Sequence, residues 1–231
     1  MSDVVIIGYD LSNYTRSARL ACEEKGVPHF LSADGIADIA DFRSPAHLAR
    51  HPFGRIPVLV HEGRTVFETT AIGRYLDARF DGPRLFPADP DAEVEIEQWT
   101  SAVNSYLDRP LIRETVIPYF FPSGPDGKPD RARIDAAIPR VRDALAGLDR
   151  GLSGGSTRRP YFGGERPMMP DILLLPMADA LGAIPEGPGL LGASPNIRRF
   201  LKAFRERPSY AATLPERVKE RMRTEAAVAS A

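Results

Sequence analysis

The 231-residue chain has little of several residue types that carry chemistry: one cysteine, four histidines and one tryptophan. A single cysteine excludes an internal disulfide, a Cys-x-x-Cys redox pair and any multi-cysteine zinc site. An excess of charge of one sign is also missing. There are 30 basic and 31 acidic residues, split 9 to 10 over residues 1–80 and 21 to 21 over 81–231. The basic footprint of a nucleic-acid binder is therefore absent. Met1-Ser2-Asp3 lacks a basic n-region, and the apolar run Val4–Ile7 is too short for a signal peptide or a membrane span. These absences predict a cytoplasmic protein with reduced thiols, no membrane and no nucleic acid. What is present is ordinary: 43% hydrophobic and 26% charged residues, enough for a sizeable core. The length allows one large or two small domains. Only four of the basic residues are lysine, which reads as genomic base composition.

The first eighty residues alternate in pattern. Val4–Gly8 is a β-branched run, and Tyr14, Ala18, Ala21 and Cys22 share one face of a helix ending at Gly26. Pro28–Ser32 is a second strand, and Ser44-Pro45 opens a short helix through His51. Pro57–His61 and Thr65–Phe67 flank Glu62-Gly63-Arg64, read as a three-residue hairpin loop, and Ile72, Tyr75 and Leu76 mark another helix. The order βαβαββα combines a parallel pair with an antiparallel hairpin, the thioredoxin-like α/β arrangement. Residues 81–91 hold three prolines and read as a linker.

Residues 92–231 show no strand and predict an all-α domain. Its helices run over Glu93–Tyr119, bent or broken at Pro110, over Ile134–Leu148 with a kink at Pro139, over a buried Asp171–Leu181, and over Ile197–Phe204. Residues 122–129 read as a loop, and the last dozen residues as a frayed end.

Four segments together resemble a cytosolic glutathione transferase of the serine type, similar to theta- or phi-like bacterial members. They are Ser12-Asn13-Tyr14-Thr15-Arg16, Pro52-Phe53-Gly54-Arg55-Ile56-Pro57, Phe67-Glu68-Thr69, and Trp99 after the proline-rich linker. Pro195-Asn196 and Arg207-Pro208 agree, so the resemblance covers nearly the whole chain. It implies glutathione as co-substrate, no metal, a small electrophilic and hydrophobic second substrate, and a homodimer. It departs at Met168, where relatives carry a hydroxyl residue opening a Ser/Thr-x-x-Asp capping box before Asp171.

Each implied role has a chemical reason. Thr69 and the free N–H groups of a helix first turn suit the γ-glutamyl carboxylate, and Glu68 suits its amine; a plain helix cap explains them too. The resemblance implies a cis Ile56–Pro57 bond that exposes the Ile56 backbone to the cysteinyl unit. Arg43 and Arg55 suit the glycine carboxylate, with solvated surface arginines as the alternative. Ser12 is the candidate for activating the thiol, with N-capping competing for its hydroxyl. Tyr9 is the alternative activator, and Tyr14 a third, on the core face by its helical phase. Cys22 reads as a core hydrophobe. His47 and His51, at i and i+4, read as a surface pair, and no histidines show metal-ligand spacing. Over Ser12, between the domains, the second substrate is expected against Leu11, Tyr106 and Arg113, with Arg109, Tyr119 and Phe120 as further candidates. Isomerisation, ether cleavage, peroxide reduction or non-catalytic ligand carriage on the same scaffold are the alternatives.

Overall fold

The computed structural model describes residues 3–153, 159–216 and 218–220. All but Glu220 of the last dozen residues, expected to fray, and Gly154-Gly155, read as loop glycines, lie outside them. Elements follow the order β1 (Val4–Ile7), α1 (Asn13–Lys25), β2 (His29–Ser32), α2 (Pro45–Arg50), β3 (Val58–His61), β4 (Arg64–Phe67) and α3 (Thr69–Arg79). Then come α4 (Pro90–Tyr106), α5 (Ile117–Phe120), α6 (Arg131–Gly151), α7 (Met169–Gly182), α8 (Gly187–Gly192), α9 (Pro195–Arg205) and α10 (Pro208–Thr213).

The chain divides into two compact units, and their borders differ from the sequence reading, which ended the first domain at residue 80 and gave 92–231 to the second. The first unit runs to Pro83 and takes in the described residues from Arg207 onward; the second spans Arg84–Glu206. The reason lies in α1. The buried Glu24 carboxylate accepts from the Arg207 guanidinium, Nε at 2.7 Å and Nη2 on the other oxygen, and from the Ser209 hydroxyl. Arg19 adds a bond to the Ala212 carbonyl at 3.0 Å. The first unit is closed on another side by Lys25, whose buried ammonium meets Asp77 at 3.0 Å and the Pro83 carbonyl at 3.3 Å.

The first unit holds a four-stranded mixed sheet in the order β2-β1-β3-β4, with only β1–β2 parallel. Ile7 faces Ser32, Val58 and, through Val58, Phe67. One end of the sheet therefore launches four loops. The β3–β4 hairpin is tighter than expected. Arg64 pairs with His61, leaving a two-residue turn with φ 50° at Glu62 and 72° at Gly63. Positive φ at both central positions is the type I′ geometry that matches strand twist.

In the second unit, the expected linker is anchored. Leu85 and Phe86 are fully buried, and the Leu85 carbonyl accepts the Met169 N–H at 3.0 Å. That bond satisfies a first-turn donor of α7. Asp171 holds the N–H groups of Met168 and Phe162 at 2.9 and 3.0 Å, so the helix starts without a hydroxyl cap. Burial pushes the Asp171 carboxyl up to about 7, against the lowering effect of those backbone donors. The helix α7 is buried along most of its length, as its largely apolar composition predicts.

The long helix expected over 93–119 begins at Pro90 and changes type instead of simply kinking. Residues Asp108–Val116 form a π-helical stretch. Pro110 has no N–H to give, and the wider coil brings residues five apart together. Thr115 donates to the Pro110 carbonyl at 2.6 Å, while Arg113–Asp108 and Arg109–Glu114 pair at 2.9 Å. The helix α6 runs through Pro139 unbroken. Gly151 is required by close approach, since a Cβ there would stand 2.2 Å from the Trp99 ring.

Candidate functional site

Most of the residues singled out from the sequence in 1–80 leave the same end of the sheet. The segment Tyr9–Ser12 follows β1, Arg55–Pro57 precedes the antiparallel β3, and Glu68-Thr69 follows β4. The loop after β2 completes this end. Ile7, Ile36 and Val58 form a buried cluster joined by Tyr9, Phe42 and Ile56.

Ser12 is the N-cap of the 13-residue α1, and its Oγ accepts the Thr15 N–H at 3.3 Å. The helix ends as predicted at Gly26, with φ 74°. Capping uses an oxygen lone pair, so the Ser12 O–H remains a donor. The capping role and a role toward a sulfur are thus compatible on one hydroxyl. Tyr9 is differently employed: its hydroxyl donates to the Ile36 carbonyl, and its ring lies 5.8 Å from Phe42. Burial, then Asp38 and Asp41, push its ionisation above the usual tyrosine range. Leu11 is exposed beside Ser12.

The Ile56–Pro57 bond is cis. Arg55 and Arg43 are both exposed, and neither has a hydrogen bond or ion pair from its guanidinium among the described residues. Arg43 ends a 3-10 turn, Ile39–Arg43, that the sequence reading missed. Its signal was Asp38-x-x-Asp41, which forms a capping box: Asp38 Oδ1 accepts the Ala40 N–H at 3.1 Å and Asp41 Oδ2 the Asp38 N–H at 2.9 Å.

Glu68 has φ 68° and ψ 120°, a backbone conformation rare outside glycine that costs roughly 1–3 kcal/mol. It precedes α3, whose first turn has no side-chain cap, so its N–H groups can face an anion. The Thr69 side chain is buried and the Glu68 side chain exposed.

His47 and His51, read as a surface pair, are both buried. Phe42 stacks on His47 at 5.6 Å, and Phe67 lies 4.9 Å from His51. The Phe53 N–H donates to His51 Nδ1 at 3.3 Å. Burial lowers the His51 imidazole below its ordinary range, opposed by Glu68 and reinforced by His47 and Arg55. Cys22 is fully buried and its thiol is pushed up to about 12 by burial, with Glu23 adding.

In the second unit, Tyr106 is exposed at the end of α4. Arg113 and Arg109 are held in their five-spaced ion pairs, and Tyr119 donates to the Glu186 carboxylate, which Arg131 also binds. Tyr119 is thereby committed to packing α5 against α6 and α8. Among the described residues no group of three or more His, Cys, Asp or Glu could hold a metal ion. No described helix is long and apolar enough to cross a membrane.

Comparison with known proteins agrees with this geometry. Residues 6–84 match the glutathione S-transferase N-terminal domain model and residues 131–203 the C-terminal domain model. Glutathione S-transferase 3 of Zea mays is 26% identical over 216 residues, covering 93% of this chain and 94% of that protein. Maleylacetoacetate isomerase of Rhizobium meliloti is 31% identical over 134 residues, 58% of this chain and 61% of that one. The theta class glutathione S-transferase of Xanthomonas axonopodis pv. citri, solved with glutathione bound, superposes with a TM-score of 0.72 at 27% identity, covering 93% and 98% of the two chains. With a thioredoxin-like first unit, a helical second unit and a family match to each, the chain belongs to the glutathione S-transferase family and is a transferase.

Proposed function

We propose that this transferase is of the serine type and attacks a small, hydrophobic electrophile with a glutathione thiolate held by the Ser12 hydroxyl. The observation that carries the reading is Ser12 at the N-terminus of α1, its lone pair on the Thr15 N–H and its proton without an acceptor among the described residues. A free thiol near pKa ~8.5 is only a few per cent ionised at pH 7. A donor hydroxyl and the positive end of α1 both favour the charged form. The γ-glutamyl end is assigned to Glu68, Thr69 and the first turn of α3, the cysteinyl backbone to Ile56, and the glycine carboxylate to Arg55 and Arg43. Bound glutathione, followed by ultraviolet thiolate absorbance from pH 5 to 9, is expected to titrate about 2 units below the free thiol. An unshifted midpoint with binding intact would overturn the reading in favour of a carrier.

Glutathione-dependent isomerisation is the second reading, favoured by the likeness to a protein named maleylacetoacetate isomerase. An isomerase returns its glutathione, whereas a transferase consumes free thiol in step with turnover, and thiol counting separates them.

A homodimer is part of the same proposal. Phe53 is 64% exposed, and a groove of about 650 Å³ along α4 is lined by Val94, Trp99, Ala102 and Tyr106. We assign both surfaces to a second copy. Light scattering is expected to give twice the 25.4 kDa chain mass, and a monomer would refute it.

A further inference from the structure

His47 is fully buried near the start of α2, a helix whose entry is tightly specified. Pro45 occupies the first turn, and Ser44 Oγ accepts the His47 N–H at 3.2 Å. The ring is fixed in turn by its stack on Phe42. What this imidazole does is specific: Nε2 lies 2.9 Å from the Arg55 carbonyl oxygen. A carbonyl only accepts, so Nε2 carries the proton of that bond.

The Arg55 C=O and the Ile56 N–H belong to one planar peptide unit. Fixing the carbonyl therefore fixes the direction of the amide. Just upstream, Gly54 has φ 58°, and a Cβ there would come within 2.4 Å of the Phe42 carbonyl, so the loop cannot swing in that direction. The Ile56 N–H itself has no acceptor among the described residues. A peptide whose carbonyl already accepts a hydrogen bond is also a stronger donor at its nitrogen.

We infer that His47 is a positioning residue for glutathione: by holding the Arg55 carbonyl it sets the direction and donor strength of the Ile56 N–H that receives the cysteinyl backbone. This role rests on the function proposed above. It acts on binding and orientation, while thiol ionisation belongs to Ser12, so the two are separable by measurement.

His47→Leu removes the donor, and His47→Gln returns an N–H at similar reach. Glutathione Kd is expected to rise about tenfold in His47→Leu and to recover to within about threefold of wild type in His47→Gln. The thiolate midpoint of bound glutathione and kcat at saturation should stay at wild-type values in both. In the absence of glutathione, the Ile56 amide proton resonance should move in His47→Leu and return in His47→Gln. If His47→Leu does not fold, His47→Gln is compared with His47→Asn, whose amide falls one bond short. Equal losses in the paired variants, or a midpoint shift as large as the affinity loss, would overturn the role. An unmoved Ile56 resonance would overturn the His47 link alone. A wild type that binds no glutathione would overturn the functional reading, and this role with it.

Discussion

In Ser12→Ala the thiol midpoint of bound glutathione is expected to rise by about 1.5 pH units, and kcat/KM at pH 7 to fall about tenfold with the lost thiolate. The full 2-unit depression expected in the wild type corresponds to about 2.7 kcal/mol of preference for the thiolate. A hydrogen bond to a charged group supplies about 1.5–3 kcal/mol, and a helix N-terminus about 0.3–1 kcal/mol. The helix remains in Ser12→Ala, so some depression of the midpoint should survive. Alanine also removes the cap from the Thr15 N–H, which costs about 1 kcal/mol of stability and lowers Tm without touching thiol chemistry. Ser12→Thr keeps a hydroxyl for both tasks and is expected to restore both. In Tyr9→Phe the lost bond runs to the Ile36 carbonyl, so stability falls by about 1 kcal/mol while the midpoint stays put. A midpoint that moves in Tyr9→Phe and not in Ser12→Ala would reverse the assignment.

The largest effect on stability is expected at Arg207. In Arg207→Ala the Glu24 carboxylate, its side chain 5% exposed, keeps only the Ser209 hydroxyl among the described residues. Stranding a buried charge in this way costs about 3–5 kcal/mol. Glu24→Ala is expected to cost about half as much, because the Arg207 side chain is 28% exposed and its guanidinium can turn toward water. The double variant should resemble Glu24→Ala more than the sum of the two. Urea unfolding of the three variants measures this directly, and strict additivity would show that the pair is not coupled. Because the pair ties α10 to α1, the loss belongs to the first unit, and its unfolding should shift more than that of the second.

The elements that form the site were legible where local rules act alone. Ser12 and Gly26 bracket α1 at the positions that capping chemistry selects. Ser44-Pro45 starts α2 for the same reason. The hairpin was misread by one residue because Gly63 is the visible turn former, whereas Glu62 takes positive φ without any sign in its side chain. The rest depends on partners far along the chain. His47 and His51 are polar and four apart, a spacing that suits a solvated face, yet both are buried, with the rings of Phe42 and Phe67 against them. Nothing in the local sequence marks Glu24 as buried, because its partner Arg207 lies 183 positions away. Leu85 and Phe86 sit among linker prolines, yet both are buried and the Leu85 carbonyl takes the first N–H of α7. At Pro110 the sequence signals a break, and the surrounding packing turns it into a wider coil.

The buried Cys22 makes the protein a ready spectroscopic scaffold. Its thiol is both sealed from solvent and held protonated far above neutral pH, so maleimide and methanethiosulfonate reagents should leave it untouched. A cysteine introduced on an exposed side chain would then be the sole reactive sulfur of the chain. Phe121→Cys, just past α5 and 62% exposed, would carry a spin label or a fluorophore at a single defined point. Every dipolar distance or energy-transfer signal from such a sample would report one position per subunit, with no background labelling to subtract.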